Sequence, residues 1–172
     1  HRVIEALPAI KHQVPSAKMR VVGDGPERDS LRRLVEKNHL TDSVEFLGFV
    51  EDDAKAAALV AEGAVAVAPY LSEQETYKRF ADPGKVKIYL AAGLPIVISR
   101  VPRVAELLES SGAGIAIEPS VERLAEALKK LLLSPEDRRA MRERALELGK
   151  LFDWTGIFDR AFQQTFECWE GP

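Results

Sequence analysis

Four residues in succession, Asp82-Pro83-Gly84-Lys85, combine the types that build an anion site at the start of a helix. Pro83 suits the first helical position, where a missing N–H costs nothing, and Gly84 lets a ligand come close to the backbone. The free N–H groups of the first turn, together with Lys85, then offer positive charge to a phosphate. Lys87 follows two residues later, so a helix turns it away from Lys85, toward solvent. An ordinary helix-to-strand joint with two surface lysines accounts for the same residues.

Other chemistries find less support. Gly23-Asp24-Gly25 lies between a strand and a helix, as in a dinucleotide fingerprint, yet the place of the third glycine holds Arg28, and Asp24 reads as a turn cap. No P-loop run and no Gly-x-Ser-x-Gly elbow occurs. His1, His12 and His39 lie far apart without clustered cysteines or carboxylates, so no metal is expected. The single cysteine, Cys168, excludes an internal disulfide and fits a reducing compartment. Glu106 and Glu109 read as solvated. A net charge of −3 gives no reason to expect nucleic acid as a partner. The longest apolar runs are too short to span a bilayer and no leader precedes the first helix, so the expected location is cytoplasmic.

The elements that must carry these residues alternate. The chain opens within a helix bearing Val3, Ile4, Leu7 and Ile10, and Pro15-Ser16 closes that segment. Strands are predicted over 18–22, 44–49, 64–68, 96–99 and 114–117, with helices over 27–38, 52–61, 84–92 and 103–110. A polar stretch over 72–81 reads as a loop delivering the chain into Asp82. Ser120 and Ser134 are placed as N-caps, the second followed by Pro135 and Glu136. A last helix over about 154–169 carries Phe158, Phe162, Phe166 and Trp169 at roughly helical spacing, which most often means core, whereas exposed aromatics there would mark the surface of a missing partner. The alternation predicts an α/β fold, a doubly wound parallel sheet flanked by helices, read as one domain over 1–172. Ligands of such sheets bind beyond the carboxyl ends of the strands, where glycine and charge concentrate here.

Four segments in this order resemble the donor-binding C-terminal domain of group 1 glycosyltransferases of the GT-B fold. They are Val21-Val22-Gly23-Asp24-Gly25-Pro26, Val44-Glu45-Phe46-Leu47-Gly48-Phe49-Val50, Tyr89-Leu90-Ala91-Ala92-Gly93-Leu94-Pro95-Ile96-Val97 and Phe152-Asp153-Trp154. The resemblance implies that a nucleotide-sugar, UDP- or GDP-linked, is the substrate and that neither cofactor nor metal is needed. Its nucleobase would lie near the backbone of Gly48, Phe49 and Val50. Its diphosphate would meet Asp82, Pro83, Gly84 and Lys85, with Lys85 the catalytic residue and Lys87 at the donor's edge. The implied reaction is retaining transfer of a hexose to a glycan, lipid or polysaccharide precursor, with stabilisation on the phosphate side of an oxocarbenium-like state.

The same resemblance exposes departures. Two glutamates of the family, counted back from Gly93, fall on Ile88 and Phe80, so the ribose and sugar carboxylates have no counterparts there, and Glu73, Glu75 or Asp82 would have to substitute. A strand, and a loop with an Arg and a Lys, precede the first helix in the family, whereas His1 already lies within that helix. An N-terminal acceptor-binding domain is therefore expected as partner, with peripheral membrane association an option through it, and this portion alone is expected to be inactive. The contrasting readings are a degenerate, non-catalytic interaction module and a GT-B-fold sugar-nucleotide epimerase.

Overall fold

The computed structural model describes residues 1–70 and 80–169, without the side chains of 154, 160 and 167–169. Elements alternate as α1 (Arg2–Lys11), β1 (Met19–Val22), α2 (Arg28–Lys37), β2 (Val44–Gly48), α3 (Asp53–Ala61), β3 (Ala66–Ala68), α4 (Gly84–Ala91), β4 (Ile96–Ser99), α5 (Val104–Ser110) and β5 (Gly114–Ile117). Three helices follow: α6 (Val121–Leu133), α7 (Pro135–Gly149) and, after a short 3₁₀ turn at Lys150–Phe152, α8 (Trp154–Trp169). Glu73, Glu75 and most of the 72–81 loop lie outside the described residues, as does the side chain of Cys168.

Among the described residues the paired strands all run parallel, as the alternation of strands and helices predicts. The strands do not form one continuous ladder, however. β1 pairs with β2, and β4 pairs on its two edges with β3 and β5, giving a two-stranded and a three-stranded sheet. Val97 of β4 faces a core built from Ile4, Leu7 and Ile10 of α1, Val35 of α2, and Leu124, Leu128 and Leu131 of α6. Its neighbours Ile96 and Ile98 face the other way, into Val86 and Leu90 of α4, Ala105 and Leu108 of α5, and Ala145 and Leu148 of α7. Helices thus cover both faces, which is the doubly wound arrangement.

Local signals explain several helix ends. Asp52, Ser120 and Ser134 accept hydrogen bonds from the backbone N–H groups of Lys55, Arg123 and Asp137 at 2.9, 3.1 and 3.3 Å, capping α3, α6 and α7. α1 ends at Lys11, before Pro15, and tolerates Pro8 inside it. β3 begins at Ala66, two residues later than expected. Gly93 (φ +67°) turns the chain from α4 into β4, and a Cβ there would lie 2.9 Å from Cγ of Leu146 on α7.

One expectation is extended and one corrected. Glu109 is exposed, as expected, and its carboxylate also accepts two hydrogen bonds from Arg100, at 2.7 and 2.8 Å. The aromatic stripe on α8 is not core, because Phe158, Phe162 and Phe166 are 54%, 60% and 63% exposed. Periodicity places them on one face but says nothing of what covers it; the side chain of Trp169 lies outside the described ones. Among the described residues no helix is long and apolar enough to cross a membrane.

Leu90 is fully buried between β4 and α7, so Leu90→Ala should cost about 2–5 kcal/mol, read by urea unfolding. The Arg100 guanidinium holds the Glu109 carboxyl below its ordinary range. A depressed folded-state pKa contributes stability above the unfolded value near 4.5 that is lost as pH falls through the folded one. Arg100→Ala should therefore raise the Glu109 midpoint in an NMR titration and flatten the acid limb of the stability profile.

Candidate functional site

Parallel pairing brings the carboxyl ends of strands together within each sheet, and α1 joins the two edges. His1, at its start, lies 3.5 Å from Glu27, the residue before α2 in the loop that leaves β1. On the other side His1, Arg2 and Glu5 bound an open cleft of about 470 Å³ with Pro69, which leaves β3. A smaller recess beside it is lined by Arg2, Pro69, Tyr70, Ser99 and Ser120, among others, from the exits of β3, β4 and β5. The cleft falls within the size range of small-molecule sites and lies where ligands of α/β sheets bind.

On the β1–β2 side the two glycines meet. The N–H of Gly23 donates to the carbonyl of Gly48 at 2.8 Å, and Gly48 takes φ +71°, a conformation that glycine adopts without strain. Space beside Gly48 is open, since an added Cβ would meet nothing within 4 Å. Phe49 projects with 75% exposure and Val50 is half-buried. The neighbouring turn is closed by Asp24, whose carboxylate accepts from the N–H of Gly25 at 2.8 Å and from Arg28 at 3.0 Å. Arg28 thus occupies the place of a third fingerprint glycine with an ion pair that completes the turn, and Asp24 is the turn cap its sequence position suggests.

The other side is built on β4. Its four residues are all buried, and Ser99 is the only polar side chain among them, 2% exposed. The Ser99 hydroxyl accepts a hydrogen bond from the backbone N–H of Tyr70 at 2.9 Å, tying the exit of β3 to that of β4. The Tyr70 ring in turn underlies the Lys85 ammonium, 5.2 Å from the ring centroid. Burial pushes the phenols of Tyr70 and Tyr89 above their ordinary pKa, and the buried Tyr70 hydroxyl has no partner among the described residues.

The first turn of α4 differs from the expected one in one respect. Pro83 is the N-cap, with extended ψ of 112°, not the first helical residue. Gly84 and Lys85 open the helix on the exposed surface, no acidic residue lies in that turn, and a Cβ at Gly84 would meet nothing within 4 Å. Asp82 and Lys87 are engaged with each other: the Lys87 ammonium donates to the Asp82 carboxylate at 2.5 Å and lies 5.7 Å from the Phe152 ring centroid. Ile88 is 49% exposed, and Phe80 lies under Arg103, whose guanidinium is 5.0 Å from the ring centroid.

The structure therefore brings Lys85 and Gly84 to the edge formed by β3 and β4, and Gly48, Phe49 and Val50 to the edge formed by β1 and β2. Asp82 and Lys87 form a separate pair. Sequence reasoning passed over Tyr70, Ser99, Arg2 and Arg103; the one available signal was Ser99, a lone polar residue closing a wholly apolar strand. Among the described residues no group of three or more His, Cys, Asp or Glu is placed to hold a metal.

Comparison with known proteins adds a second line of observation. A family model described as "Glycosyl transferases group 1" matches residues 1–134. A GDP-mannose-dependent alpha-(1-6)-phosphatidylinositol dimannoside mannosyltransferase of Mycobacterium tuberculosis is 30% identical over 155 residues, 89% of this chain and 36% of its own length. N-acetyl-alpha-D-glucosaminyl L-malate synthase of Bacillus anthracis is 32% identical over 147 residues, 84% of this chain and 35% of its own. The chain thus spans about a third of the length of these relatives. Among solved structures, Anabaena Alr3699/HepE in complex with UDP-glucose superposes with a TM-score of 0.76 at 20% identity, covering 97% of this chain and 44% of that one. The C-terminal domain of the Francisella tularensis group 1 protein LpcC gives a TM-score of 0.71 at 18% identity, with 87% and 76% covered. These superpositions concern the fold.

Removing the buried acceptor of the Tyr70 N–H should be costly. Ser99→Ala is expected to destabilise the chain by about 1–3 kcal/mol in denaturant unfolding, more than a same-size change on an exposed helix face.

Proposed function

The chain belongs to the group 1 glycosyl transferases, and on that premise we propose that it is the donor-binding part of an enzyme that moves a hexose from a UDP- or GDP-sugar to an acceptor hydroxyl. The observation that carries the reading is Lys85, held at the strand exits beside an α4 N-terminus that has no acidic residue in its first turn. A nucleoside diphosphate brings two phosphates whose charge increases as the sugar leaves. An ammonium and a row of helix N–H groups stabilise that charge as it develops.

In the proposed reaction the bond between the sugar's anomeric carbon and the diphosphate oxygen breaks, and its electron pair stays on that oxygen. The acceptor oxygen bonds to the same face of the anomeric carbon and its proton passes to the departing diphosphate oxygen, so the configuration is retained. Lys85 is the catalytic residue of this scheme, meeting the departing diphosphate without a metal ion. Gly84 leaves the backbone accessible to the phosphates, and the open space beside it supports that role. Gly48, Phe49 and Val50 receive the base, Gly48 through its unobstructed backbone and Phe49 through an exposed ring.

Asp82, Pro83 and Lys87 take supporting parts in this reading. Pro83 sets the entry into α4, and the Asp82–Lys87 pair fixes the segment just before it. Relatives are nearly three times as long as the matched region, which supports a second domain that binds the acceptor and completes the cleft. Transfer is accordingly proposed for the two domains together, and nucleotide binding without turnover for these residues alone.

Titration of the 172-residue chain with UDP and with GDP tests the assignment. One of the two should bind saturably, and Lys85→Ala should weaken it at least about tenfold, since charge-assisted contacts to phosphate are worth about 1.5–3 kcal/mol. Gly84→Ala should fold with an unchanged unfolding midpoint yet bind more weakly, because its methyl projects into the space assigned to the phosphates. Undiminished binding by Lys85→Ala would overturn the assignment of that residue.

A further inference from the structure

Lys85 and Lys87 sit close together on α4 and have opposite surroundings. Lys87 is neutralised by Asp82, whereas Lys85 has no ion pair among the described residues and rests on the face of Tyr70. The difference has a chemical consequence. A carboxylate orders a lysine but cancels its charge and repels an incoming anion; an aromatic face orders it and leaves the charge intact.

The Tyr70 ring is itself fixed. Its backbone N–H is held by the buried Ser99 hydroxyl, and its ring packs partly against the core beneath β3 and β4, as Tyr89 of α4 does. Tyr89 lies one helical turn beyond Lys85, on the same side of α4. From these contacts we propose that Tyr70 is a positioning residue: its ring preorganises the Lys85 ammonium over the exits of β3 and β4 for a diphosphate, as a cation without a carboxylate partner among the described residues. The inference rests on the donor-site reading of Lys85 given above.

The contact can be read in the wild-type chain by NMR. The Lys85 ε-protons should be shifted upfield by the ring and show nuclear Overhauser contacts to the Tyr70 ring protons. Tyr70→Phe should keep both, while Tyr70→Leu should return the Lys85 resonance to the position of an exposed lysine. Binding should follow the same order. Phe at position 70 should leave the affinity for UDP or GDP within about twofold, and Leu should weaken it about two- to fivefold. In a Lys85→Ala background Tyr70→Leu should have no further effect, a coupling that general loss of packing would not give.

Absence of the wild-type shift and contacts would overturn the inference whether or not Tyr70→Leu folds, and so would equal loss of binding with and without Lys85. Failure of the wild-type chain to bind either nucleotide while the shift is present would instead overturn the donor-site reading, and the phosphate role of Tyr70 with it.

Discussion

The burial of β4 on both faces is the constraint from which the rest of the structure follows. Ile96, Val97 and Ile98 are fully buried, and their alternate side chains need two separate apolar covers. One cover is supplied by α1 and α6, the other by α4, α5 and α7. Because pairing is parallel, each strand must return over a helix, which delivers the exits of β3, β4 and β5 to one edge. Ser99 ends β4 at that edge, and its buried hydroxyl has to find a partner in the neighbouring chain. The local order of the candidate site thus derives from the core beneath it. Tyr70 is fixed by Ser99, Lys85 rests on Tyr70, and the helix carrying Lys85 is packed down through Val86 and Leu90.

What the sequence conveyed well was local. The caps at Ser120 and Ser134, the glycine exit at Gly93 and the five strands follow from residues adjacent in the chain, so spacing alone identified them, whereas Asp52, expected inside α3, caps it instead. The division into two sheets was hidden, because it depends on which strand edges meet, and side-chain patterning within a strand does not encode its neighbours. The ionic roles of Asp82 and Glu109 were hidden for a similar reason. Each is determined by a cation whose position depends on the folded chain, Lys87 in one case and Arg100 in the other.

The candidate site shows the same split. Lys85 and Gly84 were recognisable because a helix start is a local event, and Gly48 only through the family resemblance carried by residues 44–50. Tyr70 was not, since its importance comes from reaching a lysine on a different element across a strand exit. The places of the family glutamates, held by Phe80 and Ile88, are exposed and apolar or capped by Arg103. Relatives within the same family differ in the sugar that their names report, mannose in one and N-acetylglucosamine in another.

The uneven pairing of the strands also divides the chain by local stability. β4 is hydrogen-bonded on both edges and sealed on both faces, so its amides can exchange with solvent only when the three-stranded sheet opens. β1 and β2 share a single ladder that is irregular between Val21 and Val22, and their residues are mostly only half-buried. Opening there disturbs fewer contacts. The Gly23 and Gly48 loops consequently belong to the adaptable part of the molecule, while Tyr70 and Ser99 belong to the rigid part. A ligand lying across both would meet a fixed seat at one end and a yielding one at the other.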